Sequence, residues 1–250
     1  MKTGTVAAVG VSVILAACGG GGGGDGGAAL DAVSPTAAGQ YTGTVSGRQA
    51  SVLILDDGRV FTEYASPNSA NVIAGVVAGN VSSLNGNLSN GSGIDYNYEG
   101  QGVNAVVLSG SYSAKQWLKA SVSYANGARS DFSGNYDASY DATPTQAAVA
   151  GKFTGSSATN IGTTVAIDSV TITVDAAGNI TGNGTNCPFT GTIKPHAKGN
   201  VYDVSLSFGA GTGCAYPNTT ASGIGVLNGS QIHALAQTPS KAGVVFVGTK

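Results

Sequence analysis

Apolar and polar residues alternate along most of this chain. From residue 202 to 208 every second side chain is apolar, and the residues between are aspartate or serine. A period of two predicts strands with one buried and one solvated face, as in antiparallel sheets. By that pattern Asp95 and Asn97 lie on the solvated face of a strand. The same period recurs at 94–98, 118–124 and 170–174.

Short turn signals separate these segments, and they are of the Asn-Gly or Asp-Gly type. Such pairs supply the positive φ angles of tight hairpins. Short strands with frequent turns and local connections predict an all-β chain built of meanders or small barrels. The signals are Asp57-Gly58, Asn85-Gly86, Asn90-Gly91, Asn126-Gly127, Asn183-Gly184 and Asn228-Gly229.

Two parts of the chain resemble each other. Residues 38–43 (Ala-Gly-Gln-Tyr-Thr-Gly) match residues 150–155 (Ala-Gly-Lys-Phe-Thr-Gly), and each half ends on a Phe-x-Gly segment, at Phe132 and at Phe246. The repeat predicts two related antiparallel units in tandem, each with its own core and each able to fold alone. The first β unit is expected at 38–143 and the second at 149–250.

The first seventeen residues have the layout of a secretory signal peptide. Lys2 is followed by an uncharged apolar stretch and then by small residues before Cys18. The run is shorter than the roughly 20 residues that cross a bilayer as a helix. A plain secretory peptide cut after Ala17 is the alternative, and it would leave Cys18 as an odd thiol in an oxidising compartment.

Leu15-Ala16-Ala17-Cys18 resembles the lipobox of bacterial lipoproteins. That resemblance implies cleavage before Cys18 and acylation of the cysteine, so that residues 1–17 are a lipoprotein signal peptide and palmitate or a similar chain holds the protein to a membrane. Residues 18–37, which begin with Cys18 and six glycines, are expected to form a flexible tether. Gly19 follows the cysteine where an aspartate would favour the inner membrane, which indicates the outer membrane.

Composition narrows the classes of function. Charged residues make up only 10% of the chain, 40 of its 250 residues are glycine, and its net charge is −2. With no basic patch or arginine cluster, nucleic-acid binding is excluded. Residues 18–145 carry ten acids and five bases, whereas residues 146–250 carry three acids and five bases. This asymmetry serves solubility or gives the two units faces of different sign for different partners.

Cys187 and Cys214 are the remaining cysteines, and both lie in the second unit. In an oxidising compartment two such cysteines normally pair, which predicts a disulfide that closes a loop of about 27 residues. A metal pair or a redox site is the alternative, although the chain has neither the Cys-x-x-Cys spacing nor a nearby histidine cluster.

Few residues are candidates for catalysis. His196 lies in a polar segment that predicts an exposed turn, and His233 is expected on the solvated face of a strand, with haem or metal ligation as its alternative role. Asp137 and Asp141 could supply oxygen ligands to calcium, but their spacing matches no known loop. Nucleophile elbows, zinc motifs and P-loops are missing from the sequence, so we assign no catalytic, metal or cofactor residue and expect no enzyme.

The lipobox, the glycine tether, two β units, the Gly-x-aromatic-x-Gly segments and a closing Gly-x-x-Phe-x-Gly-x-Lys at 243–250 occur together. As a set they resemble the transferrin-binding-protein-B-like surface lipoproteins of Gram-negative bacteria, which include factor-H-binding lipoproteins. The resemblance implies eight-stranded antiparallel barrels. It also implies non-enzymatic binding of a host protein, or of a haem or iron carrier, at the cell surface. A structural or accessory, inhibitor-like lipoprotein that faces the periplasm is the alternative.

Overall fold

The computed structural model describes residues 35–250, so Cys18, the signal peptide and most of the tether lie outside the described residues. The fold is all-β, as predicted, and consists of two closed eight-stranded antiparallel barrels in tandem. The strands of the first barrel are β1 Gly39–Val45, β2 Arg48–Ile54, β3 Arg59–Ser66, β4 Ser69–Leu84, β5 Asn87–Asn97, β6 Gly102–Ser113, β7 Trp117–Tyr124 and β8 Arg129–Tyr136.

The second barrel follows a short junction that holds a 3₁₀ turn, Ala138–Asp141, and one short helix, α1, Gln146–Val149. In both barrels each strand pairs with its neighbour in sequence, and the first strand pairs with the last to close the sheet. The strands of the second barrel are β9 Gly151–Ile161, β10 Thr164–Val174, β11 Asn179–Gly184, β12 Cys187–Pro195, β13 Tyr202–Phe208, β14 Thr220–Asn228, β15 Gln231–Gln237 and β16 Gly243–Thr249.

The repeated sequence motifs meet where each barrel closes. Gly43 lies directly opposite Gly134 in the pairing of β1 with β8, and Gly155 lies opposite Gly248 in the pairing of β9 with β16. A β-carbon on Gly155 would collide with the Val247 carbonyl oxygen. Glycine therefore permits the close approach of the two strands at each closure.

Each barrel has its own apolar core, and each is sealed at one end by the residues that precede its first strand. Ala37 is fully buried in the first core, and Val149, two residues before Gly151 as Ala37 is two before Gly39, is fully buried in the second. The Tyr41 hydroxyl donates to the Ala37 carbonyl oxygen at 3.0 Å. We call this the sealed end of each barrel. The opposite end carries the β1–β2, β3–β4, β5–β6 and β7–β8 turns, or their equivalents, and we call it the mouth.

The outer faces of the two barrels pack against each other and bury two further apolar clusters, which together form the seam. One cluster contains Leu53, Leu55, Tyr140, Val201 and Ile224. The other contains Val76, Ala78, Tyr96, Leu235 and Val245. Residues 35–250 accordingly belong to one compact unit, although each lumen has a separate core.

The seam overturns the expectation for strand β5. Tyr96 faces the seam and is fully buried, as an outward-facing residue. Asp95 and Asn97, expected in water, face the lumen of the first barrel and are only 2% and 6% exposed. The side chains of β5 do alternate between two faces of the sheet. Both faces are buried, because one faces the lumen and the other packs against the second barrel.

Candidate ligand-binding site at the barrel mouths

The two mouths lie side by side and face the same way. Asn160, at the mouth end of β9, donates through Nδ2 to the Asn97 carbonyl oxygen at 3.0 Å. The Tyr96 hydroxyl donates to the Lys241 carbonyl oxygen, in the β15–β16 turn, at 2.6 Å. At the sealed ends, Asp56 contacts His196. Residues at the mouth of one barrel thus contact residues at the mouth of the other, and residues at the two sealed ends contact each other.

The mouth of the first barrel opens into a cavity of about 700 Å³. Aliphatic residues such as Val52, Val77 and Val122 line much of its wall. Its rim is polar and carries an ion pair between Arg48 and Glu99. A volume of this size lies within the range of small-molecule sites, which occur preferentially in places such as barrel mouths.

The second barrel is filled instead. Phe189 and Phe208 occupy its lumen, with ring centroids 5.9 Å apart, and the remaining cavity is about 130 Å³. Cys187 at the start of β12 and Cys214 in the β13–β14 loop form the predicted disulfide. The bond attaches that loop across the mouth, where Gly213, Ala215 and Tyr216 line the cavity. The disulfide thus holds the β13–β14 loop at the mouth of the second barrel.

A buried carboxylate lies behind the wall of the first cavity. Asp95 accepts hydrogen bonds from the hydroxyls of Tyr64 and Tyr124, both at 2.9 Å, and both tyrosines line the cavity. Asn97 donates through Nδ2 to the Tyr64 oxygen at 3.2 Å. Burial raises the pKa of Asp95, and the two tyrosine hydrogen bonds only partly oppose that shift. Burial and the nearby Asp95 also raise the pKa of Tyr124.

His196 is not the exposed residue that its polar segment predicted. Its side chain is only 10% exposed and lies between two carboxylates, with Nδ1 2.7 Å from Asp203 Oδ2 and Nε2 3.0 Å from Asp56 Oδ1. Burial lowers the pKa of His196, but the hydrogen bonds to Asp203 and Asp56 outweigh it and raise the pKa above its ordinary value. The imidazolium, with both nitrogens as donors, is the form that satisfies both carboxylates.

His233 is also in the seam rather than in water. Its Nδ1 is 2.9 Å from Glu63 Oε2 on the first barrel, and its Nε2 is 3.1 Å from Gln231 Oε1. The hydrogen bond to Glu63 raises the pKa of His233 despite its burial. Arg59 adds a further link, since its Nη2 is 2.9 Å from Asp203. Both histidines of the chain therefore join the two barrels.

The other predicted site residues have local roles. Asp137 accepts from the Ser139 amide and begins the 3₁₀ turn, and Asp141 accepts from Lys115 at 2.7 Å and from the Tyr136 hydroxyl at 2.8 Å. The two carboxylates thus point to different partners. Within residues 35–250, no group of three or more histidine, cysteine or acidic side chains is arranged to hold a metal ion.

Cys18 lies outside the described residues, so its acylation stays a prediction. Among the described residues, no helix has the length and apolar character needed to cross a membrane. The Asp95 cluster and the cavity were not found by sequence reasoning. The only signal for them was the pair Asp95 and Asn97 within an apolar strand, and alternation assigned that pair to the solvent.

Comparisons with known proteins give remote likenesses of fold. No protein-family model matches the chain, and no curated protein is similar to it. A candidate outer membrane protein from Bacteroides fragilis is 17% identical with a TM-score of 0.29, covering 86% of this chain and 98% of that one. A protein of unknown function from Nostoc punctiforme is 11% identical with a TM-score of 0.34, covering 85% and 96%.

The solved structures similar to this chain also include isotype 1 transferrin-binding protein B from serogroup B Neisseria meningitidis. It is 11% identical, with a TM-score of 0.32, and the alignment covers 81% of this chain and 65% of that chain. The neighbours therefore include a member of the family that the sequence motifs resemble. The barrels themselves, two closed eight-stranded sheets in tandem, are the architecture that the resemblance implies.

Proposed function

We propose that this protein is a lipoprotein of the outer membrane, anchored through acylated Cys18 and displayed at the cell surface. In this proposal it is a binding module without catalytic activity, and its partner is a host protein or a nutrient carrier. The contact is made by the mouths of the two barrels.

The direction in which the chain joins the barrels carries this proposal. Residues 35–38 lie at the sealed end of the first barrel, where the Tyr112 hydroxyl donates to the Pro35 carbonyl oxygen at 2.9 Å. The segment that contains Cys18 is attached to this end. Both mouths are at the opposite end, so a tether that begins at Cys18 joins the barrels without covering either mouth.

The surface around the mouths has the composition of a protein contact. Val72, Val103 and Ile161 are exposed by 54%, 44% and 53% at the mouth ends of their strands. The Arg48–Glu99 ion pair and Val103 both line the first cavity. Exposed apolar residues with a polar rim are typical of protein interaction sites.

Location is tested with the full chain expressed in a Gram-negative host. An epitope inserted after Asn126, in the exposed β7–β8 turn, should be reached by antibody on intact cells, and Cys18→Ala should remove the protein from the membrane fraction. Intact mass should show added lipid on a mature N-terminal Cys18. An epitope that is reached only after the outer membrane is broken would favour the periplasmic alternative.

Partner binding is tested on the same cells, incubated with serum and then washed. The retained proteins are identified by mass spectrometry for wild type, for Ile161→Asp at the mouth, and for Leu84→Asp as the matched control. Leu84 is 63% exposed and is the last residue of β4, at the sealed end. Retention should fall for the Ile161 variant alone, and an equal loss in both variants would contradict binding through the mouths.

A further inference from the structure

We propose that the hollow of the first barrel binds a small amphiphile with an aliphatic body and a head group that donates hydrogen bonds, in the first place a primary ammonium. The proposal goes beyond the surface function above. It requires neither the lipid anchor nor a protein partner.

The size of the hollow is the first observation. The mouth of the first barrel opens into a hollow of about 700 Å³, whereas the corresponding hollow of the second barrel is about 130 Å³. The difference arises from side chains, since Phe189 and Phe208 fill the second lumen while Val52 and Val122 line the first. An eight-stranded barrel is wide enough to hold one small ligand when its lining is small.

The wall favours an aliphatic body. Below the rim, Ile54, Val60, Val81 and Leu108 surround the hollow. Water among such side chains finds few hydrogen-bond partners, and an aliphatic chain gains roughly 25 cal/mol for each Å² that leaves water. The deep part of the site therefore selects hydrocarbon.

The polar part of the wall selects the head group. The hydroxyls of Tyr64 and Tyr124 each donate a hydrogen bond to Asp95, so toward a ligand their oxygens act only as acceptors. Tyr64 also accepts a hydrogen bond from Asn97, and Tyr124 also makes a hydrogen bond with Ser130. Each hydroxyl oxygen therefore keeps one lone pair for a ligand. Hydrogen bonding to a carboxylate increases the electron density on a hydroxyl oxygen, which strengthens it as an acceptor.

Charge points to the same head group. At the rim, Arg48 and Glu99 form an ion pair and offset each other, which leaves the Asp95 carboxylate, only 2% exposed, as the unbalanced charge of the site. Among residues 35–250, no other lysine, arginine or histidine lines the cavity. An ammonium is attracted to such a site, whereas a carboxylate of equal chain length is repelled.

The test compares three probes with the same hydrocarbon chain: decylammonium, decanol and decanoate. Each is titrated below its micellar concentration into the full chain carrying Cys18→Ser, so that no detergent competes, and binding is followed by calorimetry. One equivalent of decylammonium should bind, at least tenfold more tightly than decanoate, with decanol between them. Equal affinities, tighter decanoate, or no binding would overturn the proposal.

Variants locate the site. Tyr124→Phe should weaken decylammonium about fivefold and leave decanoate unchanged, whereas Tyr136→Phe, which removes a hydroxyl bonded to Asp141 outside the lumen, should change neither. Val122→Phe, which fills the hollow, should abolish binding of all three probes. Binding that survives Val122→Phe is adsorption elsewhere on the protein and would contradict the proposal.

Asp95→Asn should remove most of the preference for decylammonium over decanoate. Should this variant not fold, the wild-type probe series and the two tyrosine variants still decide the outcome. These measurements use purified protein, whereas the surface function is tested on cells. Failure of the amphiphile-binding proposal is therefore distinguishable from failure of the proposed surface function.

Discussion

Glu63 and His233 lie 170 residues apart in the chain and meet across the seam, with 2.9 Å between Glu63 Oε2 and His233 Nδ1. His196 makes a second such contact with Asp56 at the sealed end. In both contacts the histidine belongs to the second barrel and the acid to the first. The excess of acids in residues 18–145 is thus partly used to hold the basic side chains of the second barrel.

The first prediction concerns pH. Both histidines have a pKa above the ordinary value, so the stability they contribute is complete below their unfolded pKa, about 6.5. It is lost as the pH rises through the raised folded values. We expect the free energy of unfolding to fall between pH 6 and pH 9, measured by urea denaturation at a series of pH values.

The control is the double variant His196→Gln and His233→Gln, whose stability should be nearly independent of pH over that range. The chain has only these two histidines, so few other groups titrate there. An unchanged slope in the double variant would contradict the role of the histidines.

Asp56 has the opposite dependence on pH. Its pKa is lowered by its hydrogen bonds to His196 and Lys198, so the stability that it contributes is lost as the pH falls through that lowered pKa.

The second prediction concerns the closure of the barrels. Gly155→Ala should cost more than about 3 kcal/mol, or prevent folding, because the added methyl group collides with the Val247 carbonyl oxygen. Gly225→Ala is the matched control in the same barrel, since a β-carbon there lies 3.6 Å from its nearest neighbours, Ile193, Val204 and Ile232. Thermal unfolding compares the two, and equal effects would refute the explanation from close strand approach.

The closure motifs were visible in the sequence because they are local. The segments at 38–43 and 150–155, with the Phe-x-Gly segments, predicted two related units. In the structure the opening segment of each unit pairs with the Phe-x-Gly segment of the same unit. The disulfide was likewise predictable from compartment and spacing. These features depend on short stretches of chain or on a pair of rare residues.

The seam and the cavity could not be predicted in the same way. A period of two shows that a strand has two faces, but it does not show what covers each, and β5 has Tyr96 in the seam and Asp95 behind a lumen wall. The local sequence predicts an exposed His196, because its partner Asp56 is 140 residues away. The free volume of a lumen is the space left by side chains from eight strands. No single segment of the sequence therefore predicts it.

The third prediction concerns the disulfide. Replacing Cys187 and Cys214 by serine should destabilise the second barrel by about 3 kcal/mol in the chain-entropy model and release the loop over its mouth. Thermal unfolding of the wild type with and without dithiothreitol should show the same loss. The double variant should not respond to dithiothreitol; a response of similar size would mean that the reductant acts elsewhere.

The last prediction concerns the second barrel alone. The sequence indicated independent folding, and the second barrel does have its own lumen core, sealed by Val149. However, Ile224, Leu235 and Val245 are each 5% exposed or less in the full chain only because the first barrel contributes to the seam. A fragment of residues 149–250 should therefore form its strands but self-associate through this uncovered face.

Amide dispersion by NMR reports the fold of the fragment, and sedimentation velocity reports its association. Leu235→Thr with Val245→Thr should shift the fragment toward monomer, because these two are the buried residues that the second barrel contributes to one of the seam clusters. Ile167→Thr is the control, since Ile167 is 75% exposed and lies outside the seam clusters. A monomeric wild-type fragment would show that the seam face is stable in water, and a disordered one would show that the seam is required for the barrel to close.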